Sequence, residues 1–194
     1  MNPVLECLIK KIGGGAAGVL SMFALLLLLL LSLSVSAVAQ PRDEYAVKAA
    51  FVFNFAILTE WPAIPIPGPK TDLLLCVVGG GDLPKAFESI EGKKIGERTL
   101  HVVAVDKGVT LPDCQIVFYR EEVSTEDLVR TLYAVKGKAV LTIGDKSNVT
   151  KLGGAIHFFT DNGKLRFAIN PGVISAQGLK LSSRLLKIAT LIED

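Results

Sequence analysis

The chain has 194 residues, is 50% hydrophobic, and carries 21 basic against 19 acidic side chains for a formal net charge of +2. Near-balanced charge with no basic stripe argues against a nucleic-acid-binding protein. With 2 histidines and 3 cysteines, and no H-x-x-x-H or Cys/His ligand spacing, a zinc centre is disfavoured as well.

The first forty residues hold much of the apolar content. Lys10 and Lys11 precede an uncharged run from Ala16 to Val35 that includes unbroken leucine from Leu25 to Leu31. Ala37-Val38-Ala39 then forms an A-x-A cleavage pattern before Gln40. This reads as a secretory signal peptide over residues 1–39, with an uncleaved membrane anchor as the alternative. Residues 40–194 are then expected to form one α/β domain in the periplasm.

Residues 43–60 predict a helix, with Asp43 as cap, Glu44 in the first turn and Trp61-Pro62 as its stop. Its stretch AVKAAFVFNFAIL is apolar on nearly every side. About 14 such residues reach roughly 21 Å, too short for a bilayer core of about 30 Å. One stripe, Ala46, Ala50, Phe53 and Ile57, is expected to face a sheet. Val47, Phe51, Phe55 and Leu58 would then need a cover. Phe51 and Phe55 are therefore candidates for a dimer or partner surface, with full internal burial as the alternative.

A proline-rich connector follows at 62–70. DLLLCVV reads as a buried strand running into Gly79-Gly80-Gly81, and residues 83–92 as a short helix closed by Gly92. Strands are expected at 99–105, 114–120 and 138–145, and a helix at 124–137 with Ser124 and Asp127 in capping-box-like spacing. Asp161-Asn162-Gly163 marks a tight hairpin within 154–170. A short helix at 171–177 stops at Gly178, and Ser182 or Ser183 caps a last helix, RLLKIATLI. The pattern is α/β: a mostly parallel sheet sandwiched by helices, with an antiparallel β-hairpin near the C-terminal part.

Chemistry is sparsely signalled. The run Gly79, Gly80, Gly81 follows a strand and precedes a helix, but its glycines are consecutive, so the dinucleotide pattern is incomplete. The segment at Gly144 lacks the upstream glycine of a phosphate loop. Both loops are candidates to line a ligand crevice at the carboxyl ends of strands. No G-x-S-x-G elbow occurs, and the carboxylates Glu121, Glu122, Glu126 and Asp127 sit at a helix start, where they favour the dipole. No catalytic residue, cofactor or metal is expected. Cys76 and Cys114 remain after export. A bridge between them would close a loop of roughly 38 residues, worth about 4 kcal/mol. Two buried free thiols are the alternative, and an oxidising compartment favours the bridge.

Three stretches together carry a resemblance. EYAVKAAFVFNFAILTEWP, AVLTIGD with GGAIHFFTDNGKLRFAIN, and GLKLSSRLLKIA resemble the YfiR family of periplasmic proteins, in its order and spacing. The resemblance implies an α/β sandwich and an exported inhibitor. Such an inhibitor holds an inner-membrane diguanylate cyclase inactive by binding its periplasmic sensory domain. Implied partners are that domain, or that of a sensor kinase, an OmpA-like outer-membrane lipoprotein, and a second copy of the chain. The C-terminal region implies contact residues Asn170, Leu179, Leu181, Ser182 and Leu185; the alternative for these leucines is packing of the last helix on the sheet, the reading favoured for Leu185 and Leu186. Departures are the lack of any cysteine after Cys114, Ala168 where relatives often carry an acid, and Pro171 where leucine is common. A second functional class is a periplasmic small-ligand-binding module built around the glycine loops.

Overall fold

The structure, a computed structural model, describes residues 44–62, 72–146 and 148–192. The expected export segment (1–39), the Asp43 cap and most of the proline-rich connector lie outside them. An eight-stranded sheet organises the chain. In spatial order it runs β10 (Thr190–Leu191), β8 (Lys164–Ile169), β7 (Ile156–Asp161), β6 (Leu141–Gly144), β5 (Ile116–Tyr119), β2 (Leu73–Val78), β4 (Arg98–Val105) and β3 (Lys94–Ile95). Strands β4, β2, β5, β6 and β7 are parallel, whereas β7–β8 and β3–β4 are antiparallel. The expected α/β class and its hairpin are therefore present.

Alternation along the strands sorts the core into two sides. Leu73, Leu75, Val77, Ile116, Phe118, Leu141 and Ile143 pack on one face with helices α1 (Glu44–Ile57), α2 (Lys85–Glu88), α4 (Pro171–Ala176) and α5 (Ser183–Leu186). Cys76, Val78, Val117, Tyr119 and Val140 pack on the other with α3 (Thr125–Val135). Helix α3 starts as its sequence predicts: Ser124 Oγ accepts from Asp127 N at 3.1 Å, and Leu128, Leu132 and Val135 recur on its buried side. Cys76 and Cys114 form a disulfide on this second face, with Cα atoms 5.9 Å apart.

Helix α1 buries a different stripe from the expected one. Lys48, Ala49, Val52, Phe55 and Ala56 are its buried residues, while Ala46 and Ala50 are exposed and Ile57 is 47% exposed. Phe55 is fully buried within the chain itself, stacked on Phe158 at 5.8 Å and edge-on to Phe167 at 4.8 Å. Phe51 is half-buried against the same rings. No partner is needed to cover Phe55, which corrects that expectation. A helix apolar all round gives periodicity little to choose by; the volume above the β7–β8 hairpin selects the aromatic pair.

Two short strands replace expected helix ends. β1 (Thr59–Glu60), placed by sequence inside the first helix, pairs antiparallel with β9 (Lys180–Leu181). The last helix stops at Leu186, and Thr190–Leu191 joins β8 in parallel, with Ile192 N donating to Ile169 O at 2.9 Å. The β-branched residues Ile188, Thr190 and Ile192 suit a strand, and β8 offers an open edge that pairing satisfies.

Candidate functional site

The order of the parallel strands creates a crevice. From β2 the chain moves outward to β4, then returns across β2 to β5, β6 and β7. The direction of winding reverses between β2 and β5, and ligands in such sheets bind beyond the carboxyl ends at this point. Those ends are the loops after Val78, Tyr119 and Gly144, and the amino end of α1 meets the last two of them.

Lys48 is the centre of that meeting. It is the one charged residue in the middle of the apolar helix, and its side chain is 7% exposed. Its ammonium pairs with Asp145, directly after β6, whose side chain is 3% exposed, and with Glu44 one turn back on α1. Burial alone would lower the Lys48 pKa, but the hydrogen bonds and negative charges of Asp145 and Glu44 outweigh it and raise the value. Burial pushes the Asp145 carboxyl up, against the opposing effect of Lys48. Beside this pair, Arg120 at the end of β5 donates to Gly80 O at 2.9 Å and to Glu122 at 3.0 Å. Its guanidinium lies 5.7 Å from the centre of the Tyr45 ring. The arrangement ties α1 to the sheet by charge where its apolar surface ends.

A cavity of about 470 Å³ opens next to the Lys48–Asp145 pair, walled by Glu44, Glu121, Lys146 and Asn148 and floored by Phe158 and Phe159. Among the described residues, no group of three or more histidine, cysteine or acidic side chains is placed to hold a metal. Nor is any described helix long and apolar enough to cross a membrane.

The glycines named from sequence lie at these strand ends, but two of them serve packing. A Cβ on Gly79 would stand 2.7 Å from Arg120 Cδ, and one on Gly144 would stand 2.1 Å from Val149 Cγ2. Both are buried and face side chains of the protein. Gly80 and Gly81 form the turn itself, with Gly81 exposed. The cavity is lined instead by the residue after Gly144 and by the amino end of α1. Lys48 was the available signal: a lone ammonium inside an apolar helix needs a buried counter-charge.

The C-terminal contact residues divide. Leu179 and Leu185 are each 2% exposed and Asn170 is 1% exposed, so the chain's own core takes them. Asn170 caps α4, its Oδ1 accepting from Val173 N at 3.0 Å. Leu181 and Ser182 are half-buried; Ser182 caps α5, and its N–H donates to Leu58 O at 2.9 Å. Surface contact through Leu179, Leu185 and Asn170 is thereby corrected: the β1–β9 pairing folds this segment inward. A shallow cavity of about 370 Å³ remains beside it, lined by Pro171, Lys180, Leu181 and Leu186 among others.

A family model described as YfiR/HmsC-like matches residues 45–190, from the first turn of α1 to the start of β10. No curated protein matches the chain.

Proposed function

The chain belongs to the YfiR/HmsC-like family, and from that premise we propose that it is a non-enzymatic periplasmic regulator. It binds the periplasmic sensor domain of an inner-membrane signalling protein, a diguanylate cyclase or a sensor kinase, and represses cyclic di-GMP synthesis. The observation that carries this reading is the family match across residues 45–190. Repression requires that the regulator bind the inactive state of its receptor more tightly than the active one. The half-buried Leu181 and Ser182, beside the shallow cavity at Leu186, are the contact residues this reading retains. A second copy of the chain and an OmpA-like outer-membrane lipoprotein are its further proposed partners.

The experiment is deletion and targeted restoration. Loss of the gene should raise cellular cyclic di-GMP and biofilm. The exported protein should restore both, and a form lacking residues 1–39 should restore neither. Cyclic di-GMP unchanged by deletion would overturn the reading.

A second reading, a small-ligand-binding module, is favoured by the cavity of about 470 Å³ at the carboxyl ends of β5 and β6, on the α1 and β7 side of the switch point, a size typical of ligand sites. The two readings are compatible, since a ligand that prefers one conformation tunes a regulator.

A further inference from the structure

Another cavity, of about 360 Å³, opens between α3, the turn Thr150–Leu152 and α4, and shares no lining residue with the one at Asp145. Its walls are mainly aliphatic: Val129 and Leu132 from α3, Leu152 from the turn, and Val173 and Ala176 from α4. Val129 is exposed, and Leu152 and Val173 are half-buried, so this apolar surface meets water. The charge on the walls has one sign. Lys136, just past the end of α3, and Lys151 both line the cavity, and none of its lining residues is acidic. The acids of α3, Glu126 and Asp127, stand in its first turn, at the opposite end from Lys136. Neither ammonium has a hydrogen-bond or ion-pair partner among the described residues. The field of Lys151 reaches inward to the buried His157, whose pKa it helps to lower. Gln177, only 6% exposed, completes the walls, and its side chain makes no hydrogen bond among the described residues. Its Oε1 is buried, so the amide nitrogen is the end that can meet a ligand. The walls thus offer two cations and an amide donor beside an aliphatic surface. A bound ammonium would meet like charge, and a plain hydrocarbon would leave the donors unanswered. An apolar lining with a few convergent polar groups is the usual make-up of a small-molecule site.

We propose that this cavity binds a fatty-acid-like anion, a carboxylate on an aliphatic chain. The carboxylate is held by the ammonium groups of Lys136 and Lys151, with the amide N–H of Gln177 as a third donor. The chain lies along Val129, Leu132, Leu152 and Val173, across the gap between α3 and α4. This site is separate from the cavity at Asp145, and its occupancy does not depend on the regulatory reading.

The test is titration of the protein purified from the periplasm with sodium octanoate, followed by calorimetry and backbone amide NMR, with octan-1-ol, octylammonium chloride and sodium acetate as parallel probes. Octanoate is expected to bind and to shift the amides of Leu152, Gly153 and Val173. Octanol, which lacks the charge, should bind about tenfold more weakly. Acetate, which lacks the chain, and octylammonium should show no measurable binding. Lys136→Gln and Lys151→Gln should each weaken octanoate binding about threefold, and the double variant about tenfold, as expected for partly solvated ion pairs. Both lysines are exposed, so their replacement tests the ligand without testing the fold. Lys85→Gln, on α2 and outside the cavity, should leave binding unchanged. Octanol or octylammonium binding as tightly as octanoate, or a double lysine variant that binds octanoate like the wild type, would overturn the anion assignment. Octanoate that leaves Leu152, Gly153 and Val173 unshifted would overturn the site itself. Either result leaves the cavity at Asp145 and the regulatory reading standing.

Discussion

The ammonium of Lys48 on α1 and the carboxylate of Asp145 at the end of β6 form a buried ion pair across the carboxyl edge of the sheet. Removing Lys48 leaves the buried Asp145 carboxylate without its counter-charge, whereas removing Asp145 leaves Lys48 only the exposed Glu44. Lys48→Met and Asp145→Asn should each destabilise the protein by about 3–5 kcal/mol. The double variant should lose less than the sum of the two, because neither charge is stranded. Urea denaturation of all four proteins gives the coupling directly. Additive losses would mean that the two side chains do not interact.

Leu179 tests the corrected C-terminal segment. At 2% exposure it packs among Ile174, Leu185 and the strand residues of the same core face. Leu179→Asp would bury an unpaired carboxylate there, so it should lower the melting temperature sharply, by several kcal/mol of stability. Leu181→Asp, on a half-buried side chain, should cost much less. A Leu179→Asp protein that melts like the wild type would place this residue on the surface.

The Cys76–Cys114 disulfide ties the first parallel strand to the segment leading into β5. Replacing both cysteines by alanine should cost about 2–4 kcal/mol, chiefly through the freer unfolded chain. Reductant should shift the wild-type melting temperature toward that of the double variant and leave the variant itself unmoved. A wild-type protein indifferent to reductant would show that the bridge carries no stability.

Two histidines give pH dependences of opposite sign. His101 lies between Glu91 at 2.9 Å and Asp72 at 3.3 Å, and hydrogen bonds to these carboxylates raise its pKa above the ordinary 6.5. Its contribution is present below about pH 6.5 and is lost as pH climbs through the raised folded value. His157 is 7% exposed, with Nδ1 2.9 Å from Thr150 Oγ1. Burial, with the charge of Lys151, lowers its pKa below 6.5. Its contribution is present above pH 6.5 and is lost as pH falls through 6.5 toward the lowered folded value. His101→Gln should therefore differ from wild type most in acid and least in base. His157→Gln should remove part of the acid sensitivity. Thermal melts between about pH 5 and 8.5 separate the two, and parallel curves for all three proteins would refute both assignments.

Much of the fold was legible from local pattern. Continuous apolar runs such as LLLCVV and IVFY mark strands buried on both faces, and β2 and β5 lie there. The hairpin follows from Asp161-Asn162-Gly163, where Asn162 takes φ 49°. The start of α3 follows from Ser124. Less of the candidate site was legible. Gly79 and Gly144 were placed correctly at strand ends, yet they accommodate Arg120 and Val149. The polar walls come from Glu44, Lys48, Glu121 and Asp145, which are far apart in sequence and match no motif.

The sequence alone determined the elements whose cause is local: the parallel strands, the tight hairpin and the capped helix; between a bridge and two free thiols at Cys76 and Cys114 it was the structure that decided. The sequence also determined family membership, which rests on residues spread along the chain. Tertiary structure decided which face of α1 is buried, because a helix apolar on all sides has no preferred face until the Phe158 and Phe167 rings define the space to fill. It also decided that Thr59–Glu60 and Thr190–Leu191 pair as strands, since only the open edges of Lys180–Leu181 and β8 reward that conformation. And it alone brought Lys48 to Asp145, because a charge in an apolar helix is tolerated only where the fold supplies its counter-charge.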